Sequence, residues 1–514
     1  MATPRSRRGF LSDVGRGMLV AGVGVTAAVD LGLARANAGD DSATLDFGKL
    51  EPLVDFMQDT SPDRIVAECI AKLKAGTDLK TLVAAAALAN ARSFGGEDYI
   101  GFHTMMAMAP AFHISAEMPA GMAALPVLKV IRRNTGRIQE AGTRNTLRPI
   151  ARSEATPDHS GEALRAAVRA KDLDRAEKTF ATFQGGSPDD AFNAVLVAVQ
   201  DNTEVHRVVL PFRAWDLLAL IGPEHANTLL RQSVHYCART ENQMIERKYP
   251  KSPIRTVLPA LLDQYKLLGK GVGQKSGDDA WLAGLAKSVF RGSREQAADA
   301  VAQAIAEGYS PESIGEAISL AANMLVLHDP GRPEKSSNAD KPAGSCHGDS
   351  VGVHASDSAN AWRNIVRVSD ARNTIAGLIV GAFHTGGQSE RSTEQPYPHA
   401  EHLTGVKTDD PKTLLGEADE AIRAKDQLRT AALISRYGQL GGQPKPVFDL
   451  LLKFATSEDG ALHAEKYFHT VSSEFLATRS AFRWGQLVAL ARVTASEYGH
   501  KSAGYEEAKK LLNV

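Results

Sequence analysis

The amino-acid sequence predicts an all-α protein, and three observations support this prediction. Alanine-rich runs recur along the chain, for example at residues 83–89, and alanine has the highest helix propensity of all residues. Apolar residues return at intervals of three and four positions, which is the spacing of one face of a helix. Runs of β-branched residues are scarce, so few segments have the pattern of a strand.

The composition bounds the protein class. The chain has 514 residues, of which 43% are hydrophobic and 23% charged, as in an ordinary globular protein with room for two or more domains or one helical array. The net charge of −1 gives no sign of a nucleic-acid partner, because such proteins usually carry a basic surface. No segment beyond residue 38 has 18 consecutive apolar residues, which predicts that the chain has no permanent membrane span.

The three cysteines, Cys69, Cys237 and Cys346, are odd in number and far apart. This pattern does not form a disulfide framework. We expect two small core residues and one loop thiol.

The N-terminal residues carry an export pattern. Residues 6–11 read Ser-Arg-Arg-Gly-Phe-Leu, residues 18–33 are largely apolar, and residues 36–38 form a small-x-small cleavage pattern. This segment resembles the twin-arginine (Tat) signal family. The resemblance implies that Arg7 and Arg8 bind the Tat translocase, that residues 1–38 are a signal peptide, and that the protein is periplasmic or otherwise extracytoplasmic.

Asp30 interrupts the apolar stretch and departs from the family pattern. The alternative interpretation is a basic arm followed by a buried helix. Tat substrates as a class cross the membrane folded, often with a cofactor already bound. The resemblance therefore favours a bound metal or organic cofactor, with fast folding or assembly as alternative reasons for this route.

Several helices can be placed from their periodicity. Ser310 precedes Pro311, which predicts a helix with serine as the N-cap and proline at the first helical position. Other helices are predicted over residues 65–73, 79–92, 161–183 and 297–306. Loops are predicted over residues 136–160, 329–350 and 386–412, which are rich in proline, glycine and polar residues.

Similar features recur in the same order in two parts of the chain. Residues 67–91 resemble residues 299–323, and the Arg-Ala-Lys-Asp sequence of residues 169–172 returns at residues 423–426. The collinear order predicts an internal duplication, whereas convergent alanine-rich helices are the alternative. We accordingly predict two related helical halves, with a pocket in the seam between them. Their boundaries are 39–240 for the first half, 241–290 for a connecting helical segment, and 291–514 for a second half with insertions at 329–350 and 386–412.

Histidines are the most suggestive polar residues. His103 and His354 occupy equivalent places in the two halves, each after a glycine-x pair, and Val205-His206 faces Leu462-His463 as a second equivalent pair. We predict a metal site formed by His103, His354 and His384, because imidazole suits iron, zinc, manganese or copper. No two histidines are spaced i, i+4 on a predicted helix, so such a site must be assembled across helices. The alternative is that these histidines are satisfied polar groups of the core.

Asp357 follows His354 by three residues, so the two side chains share one face of a helix. A carboxylate beside an imidazole orients it as a ligand or base. We therefore predict His354 and Asp357 as catalytic residues.

Other catalytic patterns are missing from the sequence. It has no Gly-x-Ser-x-Gly, no phosphate-binding loop, no dinucleotide fingerprint and no Cys-x-x-Cys-His. Residues 353–365 resemble the His-Ala helix of the questin oxidase-like proteins, a helical family linked to oxygen-dependent ring cleavage. This resemblance implies a redox function in a helical pocket, with His354 as the residue carried over.

Two functions remain open at this stage. The first is an exported soluble protein that acts as a cofactor- or metal-dependent oxidoreductase, with its pocket between the halves. The second is a non-catalytic helical-repeat scaffold that binds a peptide, a glycan or an envelope partner. Bound metal or a chromophore in the purified protein discriminates between them.

Overall fold

A computed structural model describes residues 44–142, 144–269 and 271–514. The predicted signal peptide, with Arg7 and Arg8, lies outside these residues. The all-α prediction is confirmed, because the described residues form 23 α-helices and no β-strand. None of these helices is both long enough and apolar enough to cross a membrane.

The helices up to residue 264 comprise α1 (Glu51–Asp59), α2 (Pro62–Lys74), α3 (Leu79–Phe94), α4 (Tyr99–Ser115), α5 (Leu125–Ala141), α6 (Glu162–Arg169), α7 (Leu173–Phe180), α8 (Pro188–Val199), α9 (Val205–Ile221), α10 (Ala226–Glu246) and α11 (Ile254–Gln264). The later helices comprise α12 (Asp279–Arg291), α13 (Arg294–Ala306), α14 (Pro311–Leu327), α15 (Val351–Ile365), α16 (Ala371–Thr385), α17 (Ala400–Thr404), α18 (Pro411–Arg423), α19 (Gln427–Gln439), α20 (Pro444–Ser457), α21 (His463–Ala477), α22 (Trp484–Glu497) and α23 (Ala503–Leu512).

Helix termini follow the local sequence. Ser310 is the N-cap of α14, where its side chain accepts a hydrogen bond from the Ser313 backbone N–H, and Pro311 is the first helical residue, as predicted. The loop predicted from residue 136 begins later, because α5 continues to Ala141 and ends at Gly142 with a positive φ of 65°.

The single helix predicted over residues 161–183 is wrong. The chain breaks between α6 and α7, where Lys171 has a φ of 62° and Asp172 caps α7 by accepting from the Arg175 backbone N–H. The repeated sequence at residues 423–426 makes the same turn, with Lys425 at a φ of 58° and Asp426 as the cap of α19. Apolar periodicity continues across this break, so periodicity alone did not detect it.

Two hydrophobic clusters form the core. The larger one extends from α1 to α16 and includes Tyr505 and Ala508 of α23, and the smaller one joins α18 to α22. Helix α23 packs on α2 and α5. The larger core therefore contains helices of both predicted halves. All three cysteines are free and buried, including Cys346 in its loop.

Four helices close a ring within this core. Helix α4 contacts α9, α9 contacts α15, α15 contacts α21, and α21 contacts α4. Two of them precede residue 240 and two follow residue 291. This ring brings together residues that are far apart in sequence.

Candidate metal centre

Each helix of the four-helix ring carries a histidine near its N-terminus. His103 is the fifth residue of α4, His206 the second of α9, His354 the fourth of α15 and His463 the first of α21. Three of the termini are capped by side chains that accept from backbone N–H groups: those of Asp98, Glu204 and Ser350. The four helices therefore begin at one place and direct their histidines to it.

The four imidazoles form a closed cluster, which we call the four-histidine cluster (His103, His206, His354 and His463). Neighbouring ring centroids are 4.7 Å apart for His103 and His206, and 6.0 Å for His206 and His354. They are 5.6 Å apart both for His354 and His463 and for His463 and His103. Each ring thus has two histidine neighbours, one from each predicted half.

Hydrogen bonds fix the tautomers of three of these rings. The Nδ1–H of His103 donates to the Tyr99 carbonyl oxygen at 2.6 Å, and that of His463 donates to the Gly460 carbonyl oxygen at 3.2 Å. The Nδ1–H of His206 donates to the Glu204 carboxylate. In each neutral ring the Nε2 atom therefore carries a lone pair, which is the arrangement found when an imidazole binds a metal through Nε2.

The Nε2 atoms of His103 and His206 lie 3.2 Å apart. Because both Nδ1 protons are already donated elsewhere, two lone pairs face each other unless a proton or a cation lies between them. The Nε2 atom of His354 is buried and, within the described chain, has no hydrogen-bond partner. The cluster therefore holds more nitrogen lone pairs than the surrounding protein satisfies.

The environment keeps three of these imidazoles neutral, those of His103, His354 and His463. Burial lowers the pKa of His103 to about 2, and the charge of Lys466 acts in the same direction. Burial is also the main cause of the lowered pKa values of His354 and His463. The positive ends of four helices add to this effect, because a helix N-terminus disfavours a cation, so a metal ion at this place depends on a negative charge nearby. Neutral imidazole is the form that binds metals.

Glu204 supplies the negative charge of the centre. Burial alone raises the pKa of its carboxyl group, but His206 and the 2.7 Å hydrogen bond from the Tyr236 hydroxyl hold it at about 2. The same carboxylate caps α9 through the backbone N–H groups of His206 and Arg207. One side chain thus starts the helix, orients a histidine and offsets the positive helix ends.

The structure brings only some of the predicted site residues together. His103 and His354 both belong to the four-histidine cluster, each beside His206 and His463. His384, near the end of α16, has no ring contact with the cluster, but it lies close enough for the charges of Glu204 and His354 to act on its pKa. It is buried, its Nδ1 has no partner among the described residues, and burial lowers its pKa to about 4.

Asp357 has a partner other than the predicted one. The Asp357 Oδ1 atom accepts a 2.8 Å hydrogen bond from the Thr470 hydroxyl and not from His354. The negative charge of Asp357 nevertheless opposes the lowering of the pKa values of His354 and of the buried Lys466. Burial outweighs this effect at Lys466 and lowers its pKa to about 8.

The cluster lies close to the protein surface. Tyr99, whose ring is 4.5 Å from that of His103, is 61% exposed. On another side, Gly348 of the loop before α15 packs so closely on His463 that an added Cβ atom would lie 2.3 Å from the His463 Cβ. This loop therefore covers one side of the cluster, and Tyr99 marks the side that faces solvent.

A cavity of about 730 Å³ lies elsewhere. It is a groove lined from both predicted halves, for example by Met118 and Met122 on one side and Phe454 and Tyr498 on the other. None of the four histidines lines it. The groove and the four-histidine cluster are therefore two separate features.

His206, His463 and Glu204 are site residues that the sequence did not identify. The first two were visible as an equivalent pair, whereas Glu204 was visible only as an acidic residue next to Val205-His206. No family model, curated protein or solved structure matches this chain. The candidate site therefore has to be interpreted from its own geometry.

Proposed function

We propose that this protein is an exported metal-dependent oxidoreductase whose metal ion is bound by His103, His206, His354 and His463. One observation carries the proposal: the Nε2 atoms of His103 and His206 are 3.2 Å apart while both Nδ1 protons are donated to other acceptors. Two imidazole nitrogens bound tetrahedrally to one ion at about 2.0–2.1 Å lie about 3.3 Å apart. The observed separation fits a shared ion.

The competing arrangement places a proton between the two nitrogens. A protonated His206 donates to Glu204 through Nδ1 and to His103 through Nε2, and this satisfies both rings. It leaves the buried Nε2 of His354 without a partner. We favour a metal ion because it replaces the shared proton between His103 and His206 and also gives the His354 Nε2 a partner. Binding by all four residues requires the His354 and His463 rings to move inward, because among the described residues no three of the four offer ligand atoms within 4.8 Å of one another.

The donor set indicates the class of metal. Imidazole ligands suit copper, iron, nickel and zinc, whereas magnesium and calcium prefer oxygen ligands. A redox-active ion bound here supplies one-electron transfer. Glu204 holds His206 in its metal-binding tautomer, Lys466 provides a buried amine whose pKa of about 8 suits proton transfer, and Tyr99 faces the solvent side.

The proposal includes an internal duplication. Nine helices, α2 to α10, correspond in order to α13–α16 and α18–α22. Helix α9 packs on α10 as α21 packs on α22, and α4 packs on α5 as α15 packs on α16. In this correspondence His103 matches His354 and His206 matches His463. An ancestral pair of histidines, used twice, accounts for the four-histidine cluster.

Metal analysis of the mature full-length protein tests the site. We expect about one equivalent of copper or iron, with an electron paramagnetic resonance signal that changes reversibly on reduction and reoxidation. His354→Ala and His103→Ala should lose the metal, while the control His159→Ala, at a side chain that is 60% exposed, should retain it. Bound zinc would contradict the redox role alone. A metal-free wild type that stays metal-free after incubation with these ions would contradict the site and favour the scaffold alternative.

Export is tested separately. Replacing Arg7 and Arg8 with lysine should leave the protein in the cytoplasm, because Tat recognition depends on the arginine pair. A control with lysine at Arg16, which lies outside the Tat pattern, should be exported normally. Export of the double variant would contradict this part of the proposal.

A further inference from the structure

A second group of metal-ligand side chains lies on three of the same four helices. It comprises His113 of α4, Asp216 of α9 and His469 of α21, and one ligand atom of each lies within 4.8 Å of the others. The His113 Nε2 atom is 3.0 Å from Asp216 Oδ1. The rings of His113 and His469 are stacked, with centroids 4.9 Å apart and planes inclined by 10°.

This group is separate from the four-histidine cluster. His113 and Asp216 each follow the cluster residue of their helix by ten positions, and His469 follows His463 by six. At about 1.5 Å per residue, the two groups are about 9 to 15 Å apart along the helices. Ions that share ligands in a two-metal site are about 3.5–4 Å apart, so each group has to bind its own ion.

We propose that His113, Asp216 and His469 form a second, mononuclear site for a divalent transition-metal ion. Two histidines and one carboxylate are a ligand set used by both zinc and non-haem iron sites. This inference goes beyond the proposed function and does not depend on it.

The surroundings suit such a site. Arg213 Nη1 lies 3.4 Å from Asp216 Oδ2, so it engages the oxygen that faces away from His113 and orients the carboxylate. Burial lowers the pKa of His469 to about 3, which keeps this ring neutral. The side chain of His113 is 36% exposed, so an ion has access from solvent and water can complete its coordination.

The contact between His113 and Asp216 leaves His469 as the third member of the group, with its ring against that of His113. The lone pair of an imidazole lies in the plane of its ring, and these two planes are nearly parallel. One of the two rings therefore has to rotate before both direct a nitrogen to one ion.

Metal titration of the full-length apoprotein, with cobalt or zinc, tests this proposal. We expect two classes of site in the wild type, with His469→Asn and His113→Asn each removing one equivalent. Asp216→Asn should weaken the same equivalent by at least tenfold, and Asp216→Glu should restore part of the affinity. Circular dichroism of each variant establishes that it is folded.

The two sites can fail independently. If His354→Ala removes one equivalent and His469→Asn removes none, the His113 group is an ion pair only and the second site is wrong. If His469→Asn removes one equivalent and His354→Ala removes none, the second site stands and the proposed function fails. Unchanged stoichiometry in His469→Asn, His113→Asn and Asp216→Asn together overturns the proposal.

Discussion

At the scale of single residues, burial decides what a charge contributes. Arg363 and Arg367 both bind Glu312, but the Arg363 side chain is 1% exposed and that of Arg367 is 39% exposed. Arg363 also donates to the buried Glu474 at 2.6 Å. Arg363 lies in α15 and Arg367 lies two residues after its end, and both bind Glu312, so the pair separates the effect of burial from that of charge.

We expect Arg363→Met to lower the free energy of unfolding by about 3–5 kcal/mol, because it leaves the buried Glu474 carboxylate without its cation. Arg367→Met should cost less than about 1 kcal/mol, as for other exposed ion pairs. Urea unfolding of both variants measures the difference. Equal losses would show that burial is not the deciding factor.

Gly348 is the residue on which the packing of the four-histidine cluster depends most directly. A Cβ atom there would lie 2.3 Å from the His463 Cβ and 2.8 Å from a Glu497 carboxylate oxygen. We expect Gly348→Ala to displace His463 and to weaken metal binding about 10- to 100-fold, as loss of a supporting contact does. The control is Gly416→Ala in α18, where an added Cβ meets no atom within 4 Å. Competition with a chelator measures the metal affinity of both variants. An unchanged affinity in Gly348→Ala would show that close packing at Gly348 does not hold His463 in place.

At the scale of helices, the start of each helix in the four-helix ring positions a histidine of the four-histidine cluster. Asp98 caps α4 by accepting from the Gly101 backbone N–H at 2.7 Å and binds Arg137 at 2.6 Å. The Tyr99 carbonyl that orients His103 belongs to the same first turn. Fraying of this turn therefore changes both the ligand and the group that orients it.

Asp98→Ala should cost about 1 kcal/mol of stability through the lost cap and should also reduce metal affinity. Asp78 is a matched control, because it caps α3 in the same way, accepting from the Thr81 backbone N–H at 2.7 Å, and α3 carries none of the four histidines. Asp78→Ala should cost a similar amount of stability and leave metal binding unchanged. Thermal unfolding and chelator competition on the two variants check both parts. If both variants bind metal equally well, the helix start does not position the ligand.

At the scale of the whole molecule, burial of neutral histidines makes stability depend on pH. Burial is the main cause of a lowered pKa in eight of the fifteen histidines, which are His103, His225, His328, His347, His354, His384, His463 and His469. The contribution of these histidines to the free energy of unfolding is present above a pH of about 6.5, which is the pKa of histidine in the unfolded chain. It is lost as the pH falls through that value, because the unfolded chain then binds protons that the folded chain does not.

His235 and Glu497 act in the opposite direction. Burial alone lowers the pKa of His235, but hydrogen bonds to Glu177 and Glu97 outweigh burial, and the pKa is raised. The contribution of His235 to stability is therefore lost as the pH rises. Burial raises the pKa of Glu497 to about 7, so its unfavourable ionisation is relieved as the pH falls. These two groups offset only part of the effect of the eight histidines.

We therefore expect the apoprotein to lose stability between pH 7.5 and 5.5, by about 1 kcal/mol for each well-buried neutral histidine. Urea unfolding with a chelator present measures this loss without a contribution from metal release. His384→Asn should reduce the pH dependence by about one histidine's share, since the pKa of this buried residue is about 4. A stability that is constant over this range would contradict the expectation.

The four-histidine cluster could be predicted from the sequence only in part. His103 and His354 were recognisable because each follows a glycine-x pair at an equivalent place in the chain, and His206 and His463 were recognisable as a pair. Their meeting was not predictable, because it depends on four helices from two distant parts of the chain packing into one ring. His384 lies on the helix that follows α15, and only the packing of α16 shows that its ring does not contact the cluster.

The sequence by itself determined the all-α class and most helix positions, because helix propensity, apolar periodicity and caps such as Ser310-Pro311 act within a few neighbouring residues. It did not reveal the break at Lys171, where a positive φ interrupts an otherwise continuous pattern. Tertiary structure alone decided which polar groups meet. His103 meets His206, and Gly348 approaches His463, across about 100 residues of sequence or more. Glu204 caps α9 and also accepts a hydrogen bond from the His206 side chain, and only the structure shows this second contact. Such contacts depend on how the helices pack against one another, whereas the apolar periodicity of a helix indicates only which of its faces is buried.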